Sequence, residues 1–140
     1  MNSTISRQTV QAYRDARYRV CAMPPWVMRV DCASPELLAA QRQHGAGCSA
    51  FVTACNPLGR IGDVAANRLR RRELRQEIER RGLQTLPGVG EGADGEWPDE
   101  ESDLVFGLDL AGARLLGRRF RQNAVLWSGP EGIPRLILLR

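Results

Sequence analysis

Short apolar runs alternate with amphipathic segments along the chain, and turn-forming residues separate them. Apolar runs of about four to eight residues are typical of strands, and apolar residues at helical spacing indicate helices. Strands are predicted at residues 18–21, 27–30, 49–55, 84–86, 103–108, 124–127 and 135–139. Main helices are predicted at residues 34–45, 63–82 and 110–120, with a short helical turn at 9–15.

The order of these segments predicts the α+β class. We expect a two- or three-layer α/β sandwich with a mixed sheet of about five to seven strands and three main helices. The 140 residues suffice for a single domain, residues 1–140, with its own core. Residues 1–8 are polar and predict a loose N-terminal tail, and the Gly-rich, acidic segment at 87–98 predicts a loop.

The starts of two helices carry recognisable capping residues. Ser34 precedes Pro35, which suits the first position of a helix, and Asp63 precedes the longest helix. The apolar residues of that longest helix have irregular spacing, which predicts a narrow or drifting buried stripe. They are Val64, Leu69, Leu74 and Ile78.

Composition limits the classes of function. Hydrophobic residues make up 43% of the chain and charged residues 26%, which is typical of a globular protein. No apolar run approaches the ~20 residues that a membrane span needs, and the N-terminus lacks an apolar signal core, so a cytoplasmic protein is expected. All 20 basic residues are Arg, which indicates the codon bias of a GC-rich bacterial genome more than selection for function. The net charge of +4 does not by itself indicate nucleic-acid binding.

The four cysteines and the single histidine match no metal or catalytic pattern. Cys21, Cys32, Cys48 and Cys55 have no zinc-site spacing, and His44 has no nucleophile or acid nearby in sequence. Cys55 would act as a nucleophile only if its pKa were lowered. The sequence therefore indicates no metal and no cofactor, and it leaves open whether the protein is an enzyme.

The first candidate site is the segment Asn-Pro-Leu-Gly-Arg-Ile-Gly-Asp at residues 56–63. It joins a predicted buried strand to the longest helix, a place where α/β proteins often bind ligands. Backbone N–H groups at a helix start favour anions, and Arg60 offers a bidentate contact to phosphate or carboxylate. The alternative is a plain tight turn after Asn56, with Asp63 acting only as a cap.

The second candidate is the basic face of the longest helix. At 100° per residue one sector contains Arg68, Arg71, Arg72 and Arg75, which could follow a phosphate backbone. A solvated charged face is the alternative, and no aromatic residue lies between Arg60 and Arg81 to support nucleic-acid binding.

Two further polar segments are candidates. The acidic run at 91–103 offers paired carboxylates for acid–base chemistry or a divalent metal, although its spacing is not that of an EF-hand. The alternative is a solvated loop that docks against the longest helix, called the arginine helix below. Gln122 and Asn123, at a predicted helix–strand turn, could recognise a polar ligand or satisfy buried backbone groups.

Several of these segments resemble an uncharacterised family of small bacterial proteins, a domain of unknown function. The resembling motifs are Thr-Ala-Cys-Asn-Pro at 53–57, Pro-Gly-Val-Gly at 87–90, Trp-Pro-Asp-Glu-Glu-Ser at 97–102 and Phe-Arg-Gln-Asn-Ala at 120–124. The family pattern usually has an aromatic residue where this chain has Cys55, and Gly where it has Arg121. The resemblance implies no activity or cofactor, but it marks shared polar positions: Asn56, Asn67, Glu101, Ser102, Gln122 and Asn123.

The sequence thus favours a pocket for a small anionic or nucleotide-like ligand. We expect its lining to be Asn56, Arg60, Asn67, Glu101, Gln122 and Asn123, with residues 88–97 as a lid. One alternative is a nucleic-acid or protein interaction module that uses the arginine helix. Another is a structural partner of a further protein, with no ligand.

Overall fold

The computed structural model describes residues 3–95 and 97–140. Four α-helices occur in this part of the chain: α1 (Arg7–Asp15), α2 (Pro35–Gln43), α3 (Val64–Arg80) and α4 (Leu110–Arg119). A short 3-10 helix spans Pro57–Gly59. The first strands are β1 (Arg17–Val20), β2 (Trp26–Met28) and β3 (Ser49–Thr53). The later strands are β4 (Thr85–Glu91), β5 (Glu100–Phe106), β6 (Ala124–Ser128) and β7 (Arg135–Leu138).

The seven strands form one sheet in the order β2-β1-β4-β5-β3-β6-β7. All six pairs of neighbouring strands are antiparallel. Three of the pairs join strands that follow one another in the chain, β1–β2, β4–β5 and β6–β7. The central strand is β5, and its neighbour β3 has a mostly apolar sequence that suits a strand covered on both faces.

Helices cover both faces of the sheet, which gives three layers. On one face Leu37 and Ala40 of α2 pack against Phe51, Leu104 and other apolar strand residues. On the opposite face α3 and α4 pack against strand residues that alternate with the first set. The contacts on this second face include Leu74 and Ile78 of α3. The predicted α+β class, the seven strands and the three main helices are therefore confirmed.

Capping explains where the helices begin. The side chain of Ser34 accepts a hydrogen bond from Leu37 N at 3.1 Å, and Asp63 accepts one from Ala66 N at 3.2 Å. Helix α1 begins at Arg7, after Ser6, so residues 7 and 8 are helical although they were predicted as tail. Residues 1 and 2 of that predicted tail lie outside the described residues.

The predicted loop at 87–98 is wrong in its first part, because residues 87–91 belong to β4. Proline is tolerated in this strand because of the direction its backbone faces. The carbonyl of Pro87 accepts a hydrogen bond from Cys21 N, just beyond the end of β1. In an antiparallel strand the nitrogen and the carbonyl of one residue face the same neighbouring strand, so the nitrogen of Pro87 also faces β1. The pairing with β1 ends at this position, and proline, which has no N–H to donate, is therefore tolerated.

The predicted buried stripe of α3 is wrong in its first half. Leu74 and Ile78 are buried, but Val64 and Leu69 are exposed. The N-terminal half of α3 is held over the sheet by polar contacts, which are described below, and not by apolar packing.

Candidate functional site

A cavity of about 580 Å³ lies on the α2 side of the sheet, where α1 forms one wall. The strands supply its floor, and residues between β4 and β5 supply part of its rim. Four aromatic residues line it: Tyr13, Tyr18, Phe51 and Trp97. Tyr18 meets Phe51 edge-on with ring centroids 5.5 Å apart, so the rings support each other.

A glycine makes room for this aromatic floor. A Cβ at Gly88 in β4 would lie 2.5 Å from Phe51 Cε2 and 2.8 Å from the carbonyl oxygen of Arg19. The Phe51 ring therefore fits against β4 only because position 88 has no side chain. Gly90, two residues on, lines the cavity, and a Cβ there would meet only the Glu100 carbonyl, at 3.9 Å.

Asn56 closes the polar end of the cavity, directly after β3. Its backbone is left-handed, with φ 50°, a conformation that Asn tolerates better than most residues. Its Oδ1 accepts hydrogen bonds from Gly62 N at 2.8 Å and Asn67 Nδ2 at 3.0 Å, and its N–H donates to Asn67 Oδ1 at 3.0 Å. These bonds tie the 56–62 loop to the start of α3.

The carboxylate of Glu100 lies beside Asn56. Its Oε2 accepts hydrogen bonds from Asn56 Nδ2 at 2.7 Å and from Trp97 Nε1 at 3.2 Å. Burial raises the pKa of Glu100 above its usual value, although these two donors oppose the rise. Glu100 is therefore a fixed, partly desolvated carboxyl group in the cavity wall.

Side-chain hydrogen bonds also link α1 to the start of β6 at the cavity wall. Asn123 Nδ2 donates to the Tyr13 hydroxyl at 2.9 Å, and Arg140 donates to Asn123 Oδ1 at 2.9 Å. Burial raises the pKa of Tyr13, so the hydroxyl stays protonated at neutral pH. Gln122, also in the lining, donates to the backbone carbonyls of Cys55 and Phe120.

The charges of the lining differ from those the sequence predicted. Among the described residues that line the cavity, the charged ones are all acidic: Asp15, Glu91, Asp94 and Glu100. Of these, Glu91 forms an ion pair with Arg19 at 3.4 Å. The cavity therefore lacks the cationic groups that an anionic ligand needs.

Three of the six predicted site residues, Asn56, Gln122 and Asn123, line this cavity. Asn67 lies behind Asn56 and contacts it directly. Arg60 is exposed and does not line the cavity. Glu101 does not line it either, because successive strand residues face opposite sides of the sheet and Glu100 takes the cavity side.

Glu101 instead faces the arginine helix. It forms an ion pair with Arg71 at 2.7 Å, and Arg71 also lies 3.8 Å from Asp103, whose side chain is fully buried. Arg75 lies 3.5 Å from the same Asp103 oxygen. The acidic side chains of β5 thus contact α3, and Arg71 and Arg75 are both used in these contacts.

The other two arginines of the predicted basic face, Arg68 and Arg72, are exposed. Arg70, outside that predicted sector, reaches back to the loop, where it donates to Asn67 Oδ1 and to the Ala54 carbonyl. Of the predicted four arginines, Arg68 and Arg72 are exposed outside these ion pairs, and Arg75 is half-exposed beside Asp103. Polar contacts replace apolar packing along the first half of α3.

The six predicted lining residues do not include Glu100, Tyr13 or Trp97, although Glu100 belongs to the predicted acidic run and Trp97 to the predicted lid. Glu100, Ser102 and Leu104 are two residues apart and face the same side of the sheet. The predicted strand begins only at residue 103. An earlier start would have placed Glu100, and not Glu101, on this side. Tyr13 has no local signal, because its partner Asn123 is 110 residues away. Glu96, part of the predicted acidic run, lies outside the described residues.

The remaining candidate chemistry is not supported by the geometry. Burial raises the pKa of the Cys55 thiol, although a hydrogen bond with Thr53 opposes the rise, so Cys55 is not an activated nucleophile. His44 stacks on Phe106 with centroids 4.0 Å apart.

In the described residues we find no cluster of three or more His, Cys, Asp or Glu that could hold a metal ion. Over the same part of the chain, no helix has the length and apolar character to cross a membrane.

Comparison with curated proteins and comparison with solved structures each found no match. A family model described as "Protein of unknown function (DUF3293)" matches residues 52–125, more than half of the 140 residues. The matched region begins in β3 and ends in β6, so it includes Asn56, Glu100 and Asn123 at the polar end of the cavity. The chain therefore belongs to the DUF3293 family of proteins of unknown function.

Proposed function

We propose that this protein binds a small organic molecule in the cavity between α1 and the sheet. One observation carries the proposal: a 580 Å³ cavity has aromatic walls and converging polar groups at one end. Ligand sites typically measure roughly 300–1,000 Å³ and combine mostly apolar walls with a few placed polar groups. Asn56, Glu100, Gln122 and Asn123 are such groups here.

The ligand is neutral or cationic in this proposal. The described lining contains carboxylates and no arginine, so an anionic or nucleotide-like molecule would lack a counter-charge and meet repulsion. The apolar lining, including Leu126 and Leu136, favours a ligand with a hydrocarbon body.

Residues 92–95 and 97 act as a lid over this site in the same proposal. Gly92, Ala93, Asp94 and Trp97 all contribute to the lining, and the Trp97 side chain is only 37% exposed. The segment follows β4 directly, so it could close over a bound molecule without moving the sheet.

A fragment screen tests the proposal. We would record amide spectra by nuclear magnetic resonance with a library of small organic fragments at millimolar concentration. We expect some fragments to shift the amide signals of cavity residues. The variant G90L, which fills the cavity where a side chain has space, should fold and lose these shifts. A folded wild-type protein that no fragment perturbs at the cavity would contradict the proposal.

The arginine helix is a weaker basis for function. Arg71 and the half-exposed Arg75 contact Glu101 or Asp103, so Arg68 and Arg72 are the two arginines of the predicted set that lie outside these ion pairs. A phosphate backbone is normally followed by several free cations. We therefore do not carry the nucleic-acid function forward.

A further inference from the structure

We infer that the ligand of this cavity is an organic amine in its protonated form, bound by Glu100 and by the aromatic walls. This inference rests on the proposed function and names the class of ligand. Four separate features of the cavity support it: an oriented carboxylate, aromatic faces, the sign of the lining charge and an apolar remainder.

The Glu100 carboxylate is held in place with one oxygen free for a ligand. Asn56 and Trp97 both donate to Oε2, which fixes the orientation of the group. Among the described residues, none donates a hydrogen bond to Oε1. A protonated amine can supply that missing donor, and a charge-assisted bond of this kind is stronger than a neutral one.

The aromatic rings around Glu100 suit a cation. Tyr13, Tyr18 and Trp97 line the same cavity, and Trp97 contacts the carboxylate itself. Ring faces attract ammonium groups within about 6 Å, most strongly where water is excluded. These rings share the cavity with the Glu100 carboxylate, and the combination of a carboxylate and aromatic rings recognises ammonium groups.

The surrounding charge and surface agree with a cationic ligand. Asp15 and Asp94 also line the cavity, and no arginine among the described residues lines it to compete for Glu100. The remaining walls include Ala12, Leu126 and Leu136, which would contact a hydrocarbon or aryl body. The ligand class is thus an amine with an apolar substituent.

Three probes that share a phenyl body and differ in their polar end test this inference. They are 2-phenylethylamine, 2-phenylethanol and 3-phenylpropionate, titrated calorimetrically at pH 7. We expect the amine to bind at least about tenfold more tightly than the alcohol, and the carboxylate to bind more weakly still.

Two matched variants then assign the preference to one residue. E100Q keeps an acceptor for Asn56 and Trp97 but removes the charge, so the amine should fall to the affinity of the alcohol. E101Q removes the neighbouring charge on the opposite face and should keep the preference. Circular dichroism of both variants establishes that they are folded.

Each outcome of this experiment is decisive. An alcohol that binds wild type as well as the amine overturns the amine assignment while leaving the proposed function intact. Equal amine preference in E100Q and wild type also overturns it. If none of the three probes binds, the amine assignment falls, and the fragment screen separately decides whether the cavity binds small molecules at all.

Discussion

Asn56 and Asn67 bond to each other in both directions. The N–H of Asn56 donates to Asn67 Oδ1, and Asn67 Nδ2 donates to Asn56 Oδ1, each at 3.0 Å. The first residue lies in the loop beyond β3 in a left-handed conformation, and the second lies in the first turns of α3. This pair fixes Asn56 so that its own amide can reach Glu100 in the cavity.

Replacing Asn67 should therefore destabilise the fold. N67A leaves the Asn56 N–H without its partner and removes an acceptor from Arg70, so we expect a loss of about 1–3 kcal/mol in the free energy of unfolding. Urea denaturation measures the loss. R68A, at an exposed position one residue away, should change stability by less than about 0.5 kcal/mol. Equal effects of the two substitutions would contradict the role given to Asn67.

Two glycines of β4 should respond differently to the same substitution. G88A places a Cβ against Phe51 and the Arg19 carbonyl, which should cost about 1–3 kcal/mol. G90A points into the open cavity and should leave stability near that of wild type. Thermal unfolding of both variants compares them. Equal stabilities would mean that Phe51 does not lie against Gly88.

The arginines of α3 should separate into structural and solvated groups. R71A removes the ion pair with Glu101 and leaves the buried Asp103 with less compensation, so we expect a loss of about 1–3 kcal/mol. R72A, at an exposed position, should fall within about 0.5 kcal/mol of wild type. Guanidinium denaturation distinguishes them, and an R71A variant as stable as R72A would show that α3 does not depend on this contact.

The buried Asp103 should make stability depend on pH with a defined sign. Burial raises the pKa of Asp103 above its usual 3.8, although Arg71 and Arg75 oppose the rise. The native state therefore binds more protons than the unfolded state between pH 3.8 and the raised pKa, and this contribution to stability falls as pH rises through that window. D103N removes the contribution, so its stability relative to wild type should increase with pH there.

Glu77 provides a control of opposite sign. Burial opposes the change, but the ion pairs with Arg119 and Arg80 lower the pKa of Glu77 below its usual 4.5. Its contribution is present above pH 4.5 and is lost as pH falls through the lowered pKa, so E77Q should lose stability relative to wild type as pH rises. Chemical denaturation at a series of pH values measures both variants. Parallel slopes for D103N and E77Q would contradict the assignments.

The elements of the fold could be predicted because their signals are local. Apolar runs marked the strands, and Ser34 and Asp63 marked helix starts that the structure places at the same residues. The extent of β4 could not be predicted, because Pro87 and the two glycines of this strand are typical of a loop. Only the neighbouring end of β1, at Cys21, makes proline acceptable at that position.

The candidate site was harder to predict because its parts come from distant segments. Asn56, Gln122 and Asn123 were chosen as polar residues at strand ends, and they do line one cavity. The family resemblance marks Glu101, whereas Glu100 lies in the cavity lining, because the side of the sheet that a residue faces depends on the strand register. Arg121 has φ 55°, a left-handed conformation that glycine adopts more easily, but a sequence alone gives no such angle.

The most direct test of the cavity as an amine site is the response of the tryptophan indole N–H signals to 2-phenylethylamine. Trp97 donates its indole N–H to Glu100 in the cavity, whereas Trp127 donates its own to the Leu108 carbonyl and does not line the cavity. In a ¹H–¹⁵N titration we predict a saturable shift of the Trp97 indole signal with the Trp127 signal unchanged. No shift at Trp97, or equal shifts of both signals, would contradict the binding site described here.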